Sequence, residues 1–316
     1  MIVLCQWTHG ATPTITVAKF RDDKPAAISF TFDDGSQSQA TIVAPLFEEF
    51  GYRATFFVIA GLTREKPSDP VLTLRRDWAA VTWAEWRDVV ARGHEIGSHS
   101  WSHPKLTLLN SGSELRHQLA ASARLIEKKV DRPVRAIAFP YNQFNNGILD
   151  FARRYYIAIR TRWSDYTVLA KSVDEANQMV LRTIAGHSWM VPNLHGVDEG
   201  YGPVSRDFLR EHLAFIKARD SQVWVDTYTI ITRYCAEQQR AKVNVLQTSS
   251  NSCEFTVTCP LPPRDYDVPL TIVLHQSGAA TARAVCNGEP LPVRVLADKI
   301  LVSTVPAPQS ITVEWN

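Results

Sequence analysis

The chain has 316 residues, 45% of them apolar and 21% charged, the balance of a folded protein with a sizeable core rather than a disordered one. A net charge of +2 gives no ground for nucleic acid or an anionic membrane as partner, and no apolar run approaches the ~18 residues that cross a bilayer. Five cysteines are too few for a dense disulfide framework.

Residues 1–25 form an N-terminal segment. Its start, Met1-Ile2-Val3-Leu4-Cys5-Gln6-Trp7, is apolar with no basic residue before it, and small residues follow through Thr8-His9-Gly10-Ala11. It reads either as the tail of a signal peptide or as a genuine short start. Ala26 to Phe32 predicts a buried strand, halted by Asp33-Asp34-Gly35. A helix is predicted over "QATIVAPLFEEFGY", closed by Gly51, and then a strand in "RATFFVIAG". Residues 62–80 are polar and contain proline, which predicts a loop insertion. Thr82-Trp83-Ala84-Glu85 is a capping-box pattern opening a short helix that ends near Gly93, and "HEIGSH" is a strand candidate.

Leu115, Leu119, Ile126 and Val130 mark one helical face. "VRAIAFP" returns to strand, "NGILDFARRY" to helix, and both "YIAIRT" and "MVLRTI" to strand. Ser205 caps a helix whose apolar stripe is Phe208, Leu209, His212, Leu213 and Ile216; "VWVDTY" leads into a last helix ending near Gln239. This alternation predicts an α/β fold, a distorted (β/α) barrel of about seven strands over residues 26–242, with chemistry at the C-terminal strand ends. After about Val243 short β-type runs separated by Pro, Gly and Ser predict an all-β, sandwich-like accessory module over 243–316. If "CEFTVTC" is a strand, Cys253 and Cys259 stand ~20 Å apart and cannot pair, which leaves Cys286 as partner for one of them. Cys235 falls on an apolar stripe and reads as a buried thiol.

His99 and His103 in "HSWSH" are four apart. On a helical turn that spacing puts both imidazoles on one side, able to share a metal, although two solvent-facing histidines on a turn show it equally. Asp33-Asp34-Gly35 by itself is ordinary turn chemistry. At strand ends of one sheet, a carboxylate and two imidazoles make a three-ligand zinc set with an open position. The second acid then has a use, because it can take a proton.

"TFDDG", "HSWSH", the "FPY" strand end and a late "LH", with "GYRATFFV" and "GHEIGSHSWSHP" around them, resemble the polysaccharide deacetylases of carbohydrate esterase family 4. The resemblance spans Ala26 to Asp226, about two-thirds of the chain, and does not cover the β module. It implies that Asp34, His99 and His103 bind Zn2+, with Co2+ or Ni2+ as other candidates. Asp33 would be the base that deprotonates the metal-bound water, and the Tyr141 backbone N–H would meet the developing oxyanion. His195 would be the general acid and Leu194 would line an acetyl pocket, with Pro140 and Trp163 in the same substrate region. Trp101, between the two histidines, would stack on a sugar or brace the turn.

The sequence departs from the family in two places. The arginine that often precedes the proline of the "FPY" motif by two residues is Ala138 here. Arg160 or Arg162 would supply the guanidinium instead, with Arg160 slightly favoured. The usual Asp-x-x-Asp-Trp motif is absent in form, and "RTRWSDY" offers Trp163 and Asp165 in its place. The implied activity is removal of acetyl groups from an N-acetylglucosamine-type or xylan-type glycan. The alternatives are an inactive carbohydrate-binding protein and a deacylase of a non-sugar amide. The implied partner is an acetylated oligo- or polysaccharide, and the implied location is secreted or periplasmic rather than cytoplasmic. His212, on an apolar helical face, reads as a core histidine rather than a catalyst.

Overall fold

The computed structural model describes residues 14–70 and 80–316. They fall into two compact units, one of residues 25–232 and one in which residues 14–24 join 233–316. Strand β1 (Thr14–Val17) belongs to the second unit. The first holds β2 (Ala26–Ile28), β3 (Thr31–Asp34), β4 (Thr55–Val58), β5 (Glu95–Ser98) and β6 (Ala136–Ala138). It continues with β7 (Ala158–Arg160), β8 (Ser164–Asp165), β9 (Trp189–Met190), β10 (Pro192–Leu194) and β11 (Val223–Val225).

Among the described residues the named strands of this unit all pair in parallel, in a seven-stranded sheet of order β7-β6-β5-β4-β3-β10-β8 and a three-stranded sheet of order β11-β2-β9. The sheets share two stretches of chain, since β2 runs into β3 through Ser29-Phe30 and β9 into β10 through Val191. Hydrogen bonds continue through the bends: Ser29 N–H donates to Met190 O (3.0 Å) and Thr55 N–H to Phe30 O (3.0 Å). The result is the expected distorted barrel, with seven strands in its main sheet. Parallel strands covered on both faces read as unbroken apolar runs, and β2 and β4 are buried along their whole length. Phe30 and Phe32 meet Phe47 edge-on, and Phe32 tilts against its register partner Phe56.

Thr82 and Glu85 form the expected capping box, and Ser205 caps Arg206–Lys217 by accepting from Phe208 N–H. The strand expected at "MVLRTI" is instead the second half of a helix, Val173–Ala185, capped by Ser172. Ala176, Met179, Val180 and Thr183 are its buried residues, a helical spacing that a six-residue stretch cannot reveal. Residues 71–79 of the expected loop insertion lie outside the described residues.

The second unit contains β12 (Lys242–Thr248), β13 (Ser252–Thr258), β14 (Leu270–His275), β15 (Ala282–Cys286), β16 (Glu289–Leu291), β17 (Val293–Val295), β18 (Ile300–Thr304) and β19 (Ala307–Trp315). They form two antiparallel sheets, β1-β14-β18-β17 and β12-β13-β19-β15-β16. Of the N-terminal segment, residues 1–13 lie outside the described residues, whereas Thr14–Val17 pairs with β14 as part of a sheet. The division between the units falls inside the helix Tyr228–Gln238. Cys235, Cys253, Cys259 and Cys286 are all free, so the bridge expected to Cys286 is not formed. Cys253 is opposite Val313 and Cys286 opposite Ile311, with β19 between their strands. Two strand spacings, roughly 9–10 Å, exceed a disulfide's reach. Among the described residues no helix is long and apolar enough to cross a membrane.

Candidate metal and acid–base site

Asp33 and Asp34 end β3. Asp34 (φ 75°) and Gly35 (φ 79°) are both left-handed, so the chain leaves the strand in an abrupt turn. Glycine adopts this conformation freely, whereas Asp34 does so at a cost in strain. Asp33 is buried, and both its carboxylate oxygens accept from Arg160, at 2.8 Å from Nη1 and 2.6 Å from Nη2. Arg160 is itself buried at the end of β7 and donates further to Thr31 Oγ1 (2.9 Å), Asn193 Oδ1 (2.7 Å) and Asn142 Oδ1 (3.2 Å). Its guanidinium also lies 5.1 Å from the Phe57 ring centre. Arg160, not Arg162, is therefore the arginine at this acid.

The histidine stretch follows β5 as a turn rather than a helix, with left-handed residues at Ser100 and His103. The turn is tied internally. His103 N–H donates to Ser100 Oγ (2.9 Å), and the N–H groups of Trp101 and Ser102 donate to Gln118 Oε1 (3.1 and 3.0 Å). It brings the two imidazoles together at 4.9 Å between ring centres. Asp34 Oδ1 lies 3.5 Å from His99 Nε2 and 3.4 Å from His103 Nε2. One ligand atom from each of the three residues lies within 4.8 Å of the others.

The donor set fits a divalent transition cation. His99 Nδ1 lies 2.8 Å from Ala138 O and must donate to it, which leaves the Nε2 lone pair facing Asp34. Burial pushes the His99 pKa down to about 3 against the pull of Asp33, and burial likewise lowers His103 to about 4. Both rings are neutral at pH 7 and hold their lone pairs ready. A carboxylate with two neutral imidazoles suits Zn2+ and its neighbours better than Ca2+ or Mg2+. For Asp33, burial raises the pKa, but the charges of Arg160 and His99 and the Arg160 hydrogen bonds outweigh it and hold the group at about 2.

His195 follows β10, and its backbone is fastened to that of Asp33 by one side chain. Gln39 Nε2 donates to Asp33 O (2.5 Å) and to His195 O (2.7 Å), and Gln39 is fully buried. Ser36 Oγ adds a bond to His195 O (3.3 Å). Burial lowers the His195 pKa, while Asp33 and Asp165 pull it upward.

These groups meet in a cavity of about 610 Å³, a size typical of small-molecule sites. Its walls include Asp33, Asp34, His99, His103, Tyr141 and His195. They also include Asn142, Asp165, Asn193 and Tyr201. Tyr141 stands on a left-handed turn after β6, half exposed, its ring 4.6 Å from that of His103. Four residues assigned to substrate by sequence lie elsewhere. Leu194 packs in the barrel core, Pro140 is buried, and Trp163 is on the loop between β7 and β8. Trp101 packs against His117 at 4.4 Å and covers Gly61 so closely that a Cβ there would meet its indole at 2.7 Å, so it braces the turn. None of the four is a wall of the cavity among the described residues.

Gln39, Asn193 and Tyr201 were not singled out by sequence reasoning. Gln39 is an amide with no motif around it, and Asn193 is marked only by its place before Leu194-His195. The only signal for Tyr201 is its place between two glycines, Gly200 and Gly202. His212 is a core histidine, as expected. Its Nδ1 donates to Asn177 Oδ1 (2.8 Å), and Nε2 accepts from the Tyr166 hydroxyl (3.1 Å).

Residues 20–159 match the family model described as polysaccharide deacetylase, which bears out the motif resemblance. A gellan lyase from Bacillus sp is 24% identical over 94% of this chain and 13% of its own length. A chitooligosaccharide deacetylase from Azorhizobium caulinodans is 28% identical over 41% of this chain and 54% of its own length. The chain thus corresponds to an eighth and about half of these two relatives. The fold matches the structure of a CE4 family pseudoenzyme from Bacillus anthracis, with a TM-score of 0.50 and 20% identity over 66% of this chain and 65% of that one.

Proposed function

We propose that the barrel is a metal-dependent hydrolase that removes acetyl groups from a glycan, as N-acetyl amides or O-acetyl esters. The observation that carries this reading is one cavity joining a three-ligand metal group to an ionised, arginine-held carboxylate and a separate imidazole. Asp34, His99 and His103 would hold the cation, with Zn2+ the first choice. Bound there, a divalent ion supplies Lewis acidity toward a water and an acetyl carbonyl.

The remaining chemistry belongs to the side chains. Asp33, ionised above about pH 2, accepts a proton on its carboxylate. Arg160 fixes the direction of that carboxylate through two parallel bonds and offsets the cost of its burial. The Tyr141 N–H is the candidate donor to charge developing on the carbonyl oxygen. His195 is the candidate proton donor to the leaving group, and the Asp33 and Asp165 charges that face it oppose the effect of burial. The substrate reading extends to location. A glycan polymer met outside the cytoplasm agrees with a secreted or periplasmic protein.

The test is acetate release from N-acetylchitooligosaccharides and from acetylxylan, with and without a chelator. Release that stops on chelation and returns with Zn2+ is expected. Full activity after thorough metal removal would overturn the mechanism. Glycan binding with no acetate release from any acetylated substrate would leave a carbohydrate-binding protein.

A further inference from the structure

Tyr201 is an exposed aromatic residue at the wall of a reactive cavity, and the chain around it is built to hold it there. It is 52% exposed and lies between Gly200 (φ 92°) and Gly202 (φ 52°), at the tip of the loop that follows His195. The base of the loop is closed by a bridge between Val197 and Val204, with Asp198 N–H donating to Val204 O (3.0 Å). It is also anchored to the chain after β3. Val197 N–H donates to Ser38 Oγ (3.1 Å), and Ser38 N–H donates to Glu199 Oε1 (2.5 Å). Val197 and Gly200 are buried, so the loop packs on itself while presenting a ring outward.

The residue stands outside the buried core. It is half exposed, and its ring meets that of His195 edge-on, at 5.1 Å and 78°. Leaving a large aromatic surface in water forgoes stabilisation that burial would provide. A held, half-open tyrosine on a loop above a rigid scaffold is instead the form of a recognition residue, rigid, flat and amphipathic at low entropic cost. The other exposed aromatic wall, Tyr141, comes from the loop after β6. In sheet order β5, β4 and β3 lie between β6 and β10, and these carry the histidine stretch and the acids. The two rings therefore come from loops after strands that lie on either side, in sheet order, of those carrying the histidines and the acids.

We propose that Tyr201 is a platform on which a pyranose ring of the substrate stacks, making it a specificity-determining residue of the deacetylase site. The proposal rests on the glycan-deacetylase reading above but is tested apart from it. Binding is measured by calorimetry with glucosamine tetrasaccharide and xylotetraose, which carry no acetyl group and are not consumed. The expected result is binding by the natural chain, weakened about tenfold or more in Tyr201→Ala and by less than about twofold in Tyr201→Phe. Should the alanine variant lose its thermal unfolding transition, Tyr201→Leu keeps the apolar bulk without the flat ring and is read in the same way.

Equal affinity in Tyr201→Ala overturns the proposal, as does an equal loss in Tyr201→Phe, which would assign the effect to the hydroxyl. Absence of binding by the natural chain up to millimolar sugar also overturns it. Acetate release from the acetylated tetrasaccharides is measured in parallel. No release, with binding still lost in Tyr201→Ala, removes the deacetylase reading and leaves the platform. Release by the natural chain, with affinity unchanged in Tyr201→Ala, does the reverse.

Discussion

Ala138 and Arg160 are register partners on the adjacent parallel strands β6 and β7, and the guanidinium of Arg160 reaches the carboxylate of Asp33 on β3. Three strands lie between β7 and β3 in sheet order, so the side chain crosses the interior of the open barrel. An arginine on β6 or on β7 differs in origin by one strand spacing, about 4.8 Å, which a long flexible side chain can absorb. Asp33 thus meets a guanidinium from the strand beside that of Ala138.

Arg160→Ala should leave Asp33 buried without its partner. Breaking one side of such a pair costs about 3–5 kcal/mol, and the Asp33 pKa should rise. Acetate release should fall by at least about a hundredfold, and thermal unfolding should shift down. The double variant Ala138→Arg/Arg160→Ala should recover part of both. A double variant no better than Arg160→Ala would show that the strand of origin matters.

Gln39 is expected to act as a structural tie. Gln39→Leu keeps the bulk but removes the donor shared by Asp33 O and His195 O. Two buried carbonyls losing a donor should cost about 2 kcal/mol. Acetate release should fall by more than in a random core change, because the spacing between Asp33 and His195 loosens. Kinetics and unfolding measured on the same variant check this, and unchanged kcat with lowered stability would confine Gln39 to the fold.

Metal should stabilise the fold by mass action. Adding Zn2+ to the stripped protein at a hundred times its Kd should add ~2.7 kcal/mol and raise the unfolding temperature. Asp34→Asn and His103→Ala should each abolish most of that rise. An unfolding transition unmoved by Zn2+, Co2+ and Ni2+ alike would sink the metal assignment.

Acid should weaken the fold before Asp33 titrates. Burial lowers the His212 pKa to about 4, against 6.5 for the free side chain. Between these values the unfolded chain binds a proton that the folded chain refuses, so stability falls as pH falls from about 6.5 to 4. The full effect is on the order of 3 kcal/mol. Asp33, lowered from 3.8 to about 2, adds a further loss in the same direction over that lower range. Denaturant midpoints from pH 7 to pH 4 test the first window, and His212→Gln should flatten the slope.

Gly196 should be intolerant of any side chain. A Cβ there would meet the Glu199 carbonyl oxygen at 2.5 Å and the Ser36 and Ser38 hydroxyls at 2.9 and 3.1 Å. Gly196→Ala must shift backbone next to His195, at a cost of about 1–3 kcal/mol. Reduced acetate release with reduced stability is expected, and a neutral variant would mean that the loop moves freely.

Local sequence chemistry carried much of the site. Asp33-Asp34-Gly35 and the His99/His103 pair are short-range patterns whose residue types suit a metal and a proton acceptor wherever the turns fall. The capping residues Thr82 and Ser205 act on their own helices, so both were legible. "MVLRTI" reads as a strand because so short a stretch, four apolar residues broken by Arg182 and Thr183, carries no clear period, and the packing of Met179 and Val180 against the core favours helix. Leu194 and Trp101 matched a motif, but their side chains are turned into packing rather than toward the cavity.

The sequence by itself determined which residues could ligate, accept a proton and end a strand, because those properties belong to side-chain chemistry and turn geometry over a few residues. Only the tertiary structure decided which arginine meets Asp33, that Gln39 joins the backbones of Asp33 and His195, and that the Tyr201 ring meets His195 edge-on. Those are contacts between residues 127, 156 and 6 positions apart, respectively for Arg160 to Asp33, Gln39 to His195 and Tyr201 to His195. The first two depend on how far the barrel curves, and the last on a loop folding back on itself, neither of which a local pattern records.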